Sequence, residues 1–335
     1  MTAIWIDALR EVLLGPRGIT KMSHLWLPAA TLLLAGSRSD LKAGFSAVLA
    51  LFFVVLFKVM FSIQVNDLCD RKEDEAAGKQ RWIFRLPTGA GILITALGAA
   101  AGGIVIVVES DSPWVFPAYA ASLLIGLFYS LRPVRLKERG ILGLAGYALS
   151  ATIIYVVVPG AWLDGSPLVV SLLFLAVFSD KWVQLHFHQV IDHAADLASG
   201  TRTFAVEAGL PSACRSLRGV ALFAAFSIGC LLAYIVGVIP GSALQKAAAL
   251  GLGILVVLAS GVYAKAAKRK PGGGSSLIRE LPPVYLGLSY LAFCALPPAA
   301  FAYLALREPL MWIVTGLSGL SLIRLSWQLF RYQYV

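Results

Sequence analysis

Runs of roughly 18 to 24 mainly apolar residues recur along almost the whole chain, each long enough to cross a hydrocarbon core about 30 Å thick as an α-helix. A bilayer interior offers no water to unpaired backbone groups, so a chain patterned this way folds as a set of spanning helices. Composition agrees: of 335 residues, 59% are hydrophobic and 14% charged, and the mean hydropathy is +0.79. No separate soluble domain fits between the runs.

The spans read as 23–37, 43–66, 88–109, 114–131, 141–159, 168–191, 215–239, 244–264 and 284–306. The expected fold class is therefore all-α, a polytopic membrane protein of about nine helices. Residues 1–22 mix Asp7, Arg10 and Glu11 with Ile4, Trp5, Ile6 and Leu9 and read as an interfacial amphipathic helix. Residues 23–306 form the transmembrane domain, and residues 307–335 an extra C-terminal helix, either spanning or interfacial. Its core, 309–330, holds about fifteen apolar or small residues before Arg324, short for a full span.

The net charge of +10 does not point to nucleic acid, because the basic residues lie in short loops between helices. Arg10, Arg17, Lys21, Arg71, Lys72, Lys79, Arg81, Arg85, Arg132, Arg135, Lys137, Arg139, Arg202, Arg215, Arg218, Lys265, Lys268, Arg269, Lys270 and Arg279 all fall on one side of the predicted topology. Only Arg38, Lys42, Lys246 and Arg307 fall on the other, so the N-terminus and the loops after the even-numbered spans are expected in the cytoplasm. The cysteines Cys69, Cys214, Cys230 and Cys294 have no CxxC spacing and suggest neither zinc nor a disulfide framework.

Two acidic motifs lie at that cytoplasmic boundary. The second span runs into Asn66-Asp67-Leu68-Cys69-Asp70-Arg71-Lys72-Glu73-Asp74, and a continuing helix would put Asn66, Asp70 and Asp74 on one face, with Ser62 and Lys58 deeper on the same stripe. Asp67 would point about 100° away from Asn66. The sixth span ends in Gln184, His188, Asp192 and Asp196, again every fourth residue. Carboxylates gathered near lipid call for a cation, and hard oxygen ligands suit Mg²⁺, which completes its shell with waters and substrate phosphates. Two facing stripes could thus hold a diphosphate through metal ions, with Lys79, Arg81, Arg135, Lys137 and Arg139 as basic partners.

Lys58, Asp180 and Lys181 lie inside predicted spans, where ionisable groups face a cavity or one another. An Asp180–Lys58 ion pair bracing the helices and a polar cavity that orients an acceptor are both open readings. His186, His188 and His193 are not spaced for zinc; His188, with the aspartates, reads as a packed residue or a proton acceptor.

Taken together, Asn66-Asp67-x-x-Asp70-x-x-x-Asp74 and Asp192-x-x-x-Asp196 resemble the paired signatures of the UbiA superfamily of intramembrane prenyltransferases. Tyr129-Ser130-Leu131-Arg132-Pro133-Val134-Arg135-Leu136-Lys137-Glu138-Arg139-Gly140 is similar to a loop of its chlorophyll-synthase and archaeal-lipid branches, and Ala198–Ala205 to the segment after the second motif. The resemblance implies a ring of about nine helices around a central cavity. It implies that Asn66, Asp70 and Asp74 bind one Mg²⁺–diphosphate unit and Asp192 and Asp196 the other. It matches Asp67 to the first motif as a diphosphate-binding candidate, and it favours Arg135 and Lys137 among the basic candidates Lys79, Arg81, Arg132, Arg135, Lys137 and Arg139.

The expected reaction is Mg²⁺-dependent transfer of a prenyl group from an isoprenoid diphosphate to a lipophilic acceptor in the bilayer. Glu75–Ile83 departs from the Asn-x-x-x-Arg-Pro segment common after the first motif, which keeps a membrane terpene cyclase, needing no acceptor, as the alternative. A cation-coupled transporter is the remote one, since transporters of this size place ion sites at the midplane.

Overall fold

The computed structural model describes residues 23–36, 40–76, 78–238 and 281–320. The expected helix of residues 1–22, the span 244–264 and the end of the stretch 309–330 lie outside them. The long helices are α1 (Ser23–Leu34), α2 (Leu41–Cys69), α4 (Thr88–Glu109), α5 (Val115–Ser130), α6 (Ile141–Trp162), α7 (Pro167–Ile191), α10 (Leu210–Val238) and α11 (Pro283–Ala305). Short helices α3 (Arg71–Ala76), α8 (His193–Ser199) and α9 (Phe204–Ala208) lie in the connections, and Met311–Leu320 forms α12.

By length and composition α2, α4, α6, α7, α10 and α11 can cross a bilayer. The start of α2 is set by Asp40, whose side chain accepts the Lys42 backbone N–H at 2.9 Å. Ser166 caps α7 in the same way, with Pro167 at the first helical position, where no N–H is needed. Gly209, at φ +74°, separates α9 from α10, so the latter begins at Leu210 rather than at 215.

The helices close a ring in which α1–α2, α2–α4, α4–α5, α5–α6, α6–α7, α7–α10, α10–α11 and α11–α1 are each in contact. Helix α1 is buried on nearly every side, with Leu25, Trp26, Leu27 and Leu32 essentially fully buried and His24 and Thr31 as buried polar groups among them. Helix α4, by contrast, exposes Ile92, Leu93, Leu97, Ile104, Val107 and Val108, an outer face that only lipid solvates without cost.

Two helices widen into π turns, Ile153–Val157 in α6 and Leu291–Ala295 in α11. Each lies just before a proline, Pro159 or Pro297, whose ring would clash with the carbonyl four residues earlier in a regular helix; the wider turn relieves the clash. Those positions are Tyr155 and Phe293, and both point inward, to the cavity and to His24 respectively.

Candidate functional site

Helix α2 ends within its acidic motif, after Asn66 and Asp67, and Asp70 is its C-terminal cap. Helical hydrogen bonding nevertheless carries across the boundary: Asp70 N–H donates to Asn66 O at 3.0 Å and Asp74 N–H to Asp70 O at 2.8 Å. A stripe of every fourth residue drifts by about 40° per step, whereas residues seven apart differ by only about 20°. The expected single stripe therefore splits. Asn66 and Asp70 face one group of partners, while Asp74 joins Asp67, the residue expected to point elsewhere.

Arg81 Nε lies 3.9 Å from both Asp67 Oδ1 and Asp74 Oδ2, and Lys79 Nζ bonds Asp74 Oδ1 at 2.7 Å. Arg71 secures the segment that delivers these cations. Its guanidinium donates to Phe84 O at 2.6 Å and Leu86 O at 3.1 Å and stands over the Phe84 ring. Trp82 and Ile83 are buried beside it, against Leu68.

The loop after α5 supplies the other half. Lys137 Nζ donates to Asn66 Oδ1 at 3.1 Å and to Asp70 Oδ2, and Ser130 Oγ reaches Asn66 Oδ1 at 3.2 Å. Arg135 Nη2 is 3.2 Å from Asp70 Oδ1, an oxygen that is buried yet accepts no hydrogen bond, and Arg135 Nε bonds Glu138. Burial alone would lower the Arg135 guanidinium, but Glu138, Asp70 and Glu73 hold it above its ordinary value. Its backbone sits at φ +38°, a left-handed conformation that a non-glycine residue keeps only when its surroundings impose it. Arg139 turns away, donating to the carbonyls of Val134 and Pro133.

In the second motif Asp192 caps α7 and is exposed, Asp196 lies on α8, and Gly200, at φ +73°, closes that helix. Asp196 Oδ2 accepts from Thr203 Oγ1 at 3.1 Å. Burial and the charge of Asp192 push the Asp196 carboxyl above its usual range, against the opposing effect of that bond. Thr203 also bridges to Gly140 through the backbone, so the loop carrying Lys137 and the segment after Asp196 are tied together. Among the described residues no three Asp, Glu, His or Cys side chains close on one point. His188 is exposed, and His186 is buried edge-on against Phe204.

Below Asn66 a cavity of about 270 Å³ opens between α2, α5, α6 and α7, lined in part by Lys58, Ser62, Tyr129, Tyr147 and Lys181. Lys58 Nζ donates to Ser150 Oγ at 2.9 Å, and Ser150 and Ser122 exchange hydroxyl-to-carbonyl bonds across α5 and α6. The expected Asp180–Lys58 pair does not form. Asp180, fully buried, instead accepts from Tyr285 and Ser289 at 2.8 Å each and from Gln184 at 2.7 Å, and it pairs with His24 at 2.9 Å.

His24, Ser289 and Tyr285 carry no sequence signal beyond being polar groups in apolar spans. Lys181 donates to Gln184 Oε1 at 3.2 Å and stands over the Tyr155 ring at 5.1 Å.

The model of the UbiA prenyltransferase family matches residues 25–273. Among solved structures, digeranylgeranylglyceryl phosphate synthase aligns with a TM-score of 0.59 at 15% identity, over 87% of this chain and 97% of that one. A UbiA homologue from Archaeoglobus fulgidus bound to GPP and Mg²⁺ aligns with a TM-score of 0.53 at 17% identity, over 81% and 97%. One from Aeropyrum pernix K1, without ligand, aligns at 0.56 and 14%, over 80% and 95%. At such identities the structural likeness establishes the fold. No curated protein matches the sequence. With most of the chain covered by the family model, six helices long and apolar enough to cross a bilayer, and a fold shared with these structures, the protein is an integral membrane protein that belongs to the UbiA prenyltransferase family.

Proposed function

We propose that the protein transfers a prenyl group from an isoprenoid diphosphate to a lipophilic acceptor within the bilayer, with Mg²⁺ as cofactor and the motif loops on the cytoplasmic side. The observation that carries this reading is the position of Asn66, which both lines the cavity and accepts from the loop cation Lys137 beside Asp70. The structural relatives described as bound to GPP or DMAPP with Mg²⁺ support the substrate class. The excess of lysine and arginine on one side of the spans supports the orientation.

The residues fit Mg²⁺. Asn66, Asp70, Asp74, Asp192 and Asp196 offer hard oxygen ligands, and Asp70 Oδ1 has a lone pair that no hydrogen bond uses. Mg²⁺ needs only one or two carboxylates per ion when phosphates and waters supply the rest, so the two motifs need not converge on one point. When bound, it neutralises the charge that builds on the departing diphosphate.

The chain's own groups perform the remaining tasks. Asn66, Asp67, Asp70 and Asp74 on one side, and Asp192 and Asp196 on the other, would hold the diphosphate through Mg²⁺ rather than touch it directly. Lys79, Arg81, Arg135 and Lys137 donate N–H groups to its oxygens, worth more there than in water because the site is partly desolvated. The C1–O bond breaks with its electron pair leaving on the diphosphate, the acceptor nucleophile bonds C1, and the acceptor's proton passes to the diphosphate or to water. Arg139, bonded to its own loop, holds the loop's shape.

The cyclase alternative rested on the unusual segment after Asp74, and that segment delivers Lys79 and Arg81 to Asp74 and Asp67. Lys79 and Arg81 thus serve the diphosphate site and need no special acceptor chemistry to explain them. Purified protein in nanodiscs with geranyl, farnesyl or geranylgeranyl diphosphate and a lipid extract should give a prenylated product that requires Mg²⁺. Asp70→Asn and Asp192→Asn should each slow it about a hundred- to a thousand-fold. A cyclic hydrocarbon formed without acceptor would replace transfer by cyclisation, and full activity in both variants would overturn the site.

A further inference from the structure

Thr203 precedes the short helix α9 as its N-terminal cap residue, and its carbonyl accepts the Glu207 N–H at 3.0 Å. A threonine in that position ordinarily turns its side-chain oxygen to the free N–H groups of the helix start. Thr203 makes no such bond. Its hydroxyl turns back instead, over the reversal at Gly200, and donates to Asp196 Oδ2 at 3.1 Å. Thr201 N–H holds Asp196 O at 2.9 Å, so the backbone of the acid is fixed from the same segment. With Oδ2 engaged, Oδ1 of Asp196 is left to an ion.

The base of this arrangement is anchored in the bundle. Thr203 and Ala205 are buried, and the Phe204 ring meets the buried His186 ring of α7 edge-on, with 5.1 Å between centroids. The backbone of Thr203 faces the other way and pairs with Gly140, which ends the loop carrying Arg135 and Lys137 and precedes α6. Gly140 lies at φ +50° and ψ −119°, and a Cβ built on it would come 2.2 Å from Glu207 Oε2. The Glu207 carboxylate, whose other oxygen accepts from Arg202 Nη2 at 3.0 Å, therefore rests directly on the glycine. Three residues earlier, Lys137 donates to Asn66 and Asp70. One line of contacts thus runs from Asp196 through Thr203 and Gly140 to the first motif.

We propose that Thr203 is a positioning residue that makes one unit of the two halves of the diphosphate site. Its hydroxyl orients Asp196, and its backbone carries that orientation to the loop of Lys137. Losing a hydrogen bond that orients a metal-binding carboxylate costs about ten- to a hundred-fold in metal affinity. An ion taken up by Asp192 and Asp196 would also steady Lys137 before any diphosphate arrives. This rests on the transferase reading and adds to it how the two motifs act together.

The test uses full-length protein in nanodiscs without substrate, in an Asp70→Asn background that weakens ion binding at the first motif. Thr203→Val removes the hydroxyl and keeps the side chain's shape; Thr203→Ser keeps the hydroxyl. Mn²⁺ affinity, read by electron paramagnetic resonance, should fall about ten- to a hundred-fold with valine and return to within about three-fold with serine. Amide deuterium exchange is then followed with each protein saturated with Mg²⁺. The ion should slow exchange at 134–143 as well as at 196–204 while Thr203 is present, and Thr203→Val should abolish the slowing at 134–143.

Slowing confined to 196–204 with Thr203 present, slowing in neither segment, or an unchanged Mn²⁺ affinity in Thr203→Val overturns the inference and leaves the transferase reading to its own assay. A serine protein that binds Mn²⁺ no better than the valine protein makes Thr203 a packing element and overturns it too. An unmodified protein that turns over no prenyl diphosphate overturns the transferase reading, whatever the exchange shows. If Thr203→Val does not fold, the exchange pattern of the Asp70→Asn protein decides alone.

Discussion

Gly143 offers the sharpest test of how the diphosphate loop is held. It lies in the first turn of α6, and a methyl group built on it would meet Leu136 O at 2.8 Å, Lys137 Cα at 3.2 Å and Lys137 O at 3.3 Å. All three are backbone atoms of the short turn that carries Lys137, so no side-chain rotation can relieve the contact. Ordinary van der Waals contact begins near 3.4 Å, so the Leu136 carbonyl must retreat by about 0.6 Å. That retreat is enough to lengthen the 3.1 Å bond from Lys137 to Asn66 beyond hydrogen-bonding range unless the side chain re-extends.

Two opposing terms fix the sign of the outcome. Gly→Ala inside a helix without a clash stabilises by about 0.5–1 kcal/mol, and Gly98 in α4, with nothing within 4 Å of the added methyl, supplies that control. Overpacking against immovable backbone costs about 1–3 kcal/mol and wins at position 143. Gly98→Ala should therefore raise the thermal midpoint in micelles, and Gly143→Ala should lower it. Misplacing a substrate-positioning group by a sizeable fraction of an ångström should also cost the latter about ten- to a hundred-fold in kcat/KM for the prenyl diphosphate. A Gly143→Ala protein as stable as the Gly98→Ala control, with unchanged kinetics, would refute this account of the loop.

At Gly126 an added methyl would sit 3.1 Å from Ser62 Oγ and 3.6 Å from Ser150 Oγ, facing the cavity, so Gly126→Val should raise the acceptor KM about ten-fold or more and leave that of the diphosphate near its original value; equal effects on both would move the acceptor elsewhere. Arg81→Met removes the guanidinium that Asp67 and Asp74 share and should cost about 1–3 kcal/mol in denaturant unfolding, with Asp67→Asn in the same protein recovering part of it. A second substitution that adds further loss would show that the two side chains are not coupled. Because the Asp196 carboxyl is raised above its unfolded value, its ionisation in the folded protein opposes folding above the unfolded pKa. Asp196→Asn without metal should thus raise the thermal midpoint at neutral pH, and the gain should vanish as pH falls below about 4, where both states are protonated; a gain that grows toward acid pH would reverse the assignment.

The pattern of apolar runs located most helix ends to within a few residues, because the bilayer imposes nearly the same length on every span. The span expected at 88–109 and α4 coincide, and 114–131 and α5 differ by one residue at each end. The acidic motifs were legible for a related reason, since charge at a membrane boundary stands out from its apolar surroundings. Which acids share a partner was not. Asp67 and Asp74 meet through Arg81 because a seven-residue spacing keeps register better than repeated steps of four, and because Trp82 and Ile83 bury the segment that brings Arg81 back. The partners of Asp180 were beyond reach as well, because His24 and Tyr285 lie 156 and 105 residues away in sequence and only ring closure unites them.

Around the first motif, four carboxylates, Asp67, Asp70, Asp74 and Glu138, face four cations, Lys79, Arg81, Arg135 and Lys137. Those ion-paired charges cancel one another, with Glu73 adding a further negative charge nearby, and they lie where dielectric screening is weaker than in water. A diphosphate bound alone would leave about three uncompensated negative charges there, and Mg²⁺ bound alone would leave an excess of positive charge beside four fixed cations. Each is therefore expected to bind weakly by itself and tightly in the presence of the other, and linkage makes the enhancement equal in both directions. Titration calorimetry with a non-hydrolysable diphosphate analogue should show its affinity rising about ten-fold or more when Mg²⁺ is present. Lys137→Met makes the cluster one charge more negative, so the Mg²⁺ affinity of the ligand-free protein should rise while that for the analogue falls. A Lys137→Met protein that binds both more weakly would mean that this lysine builds the site's shape rather than balancing its charge.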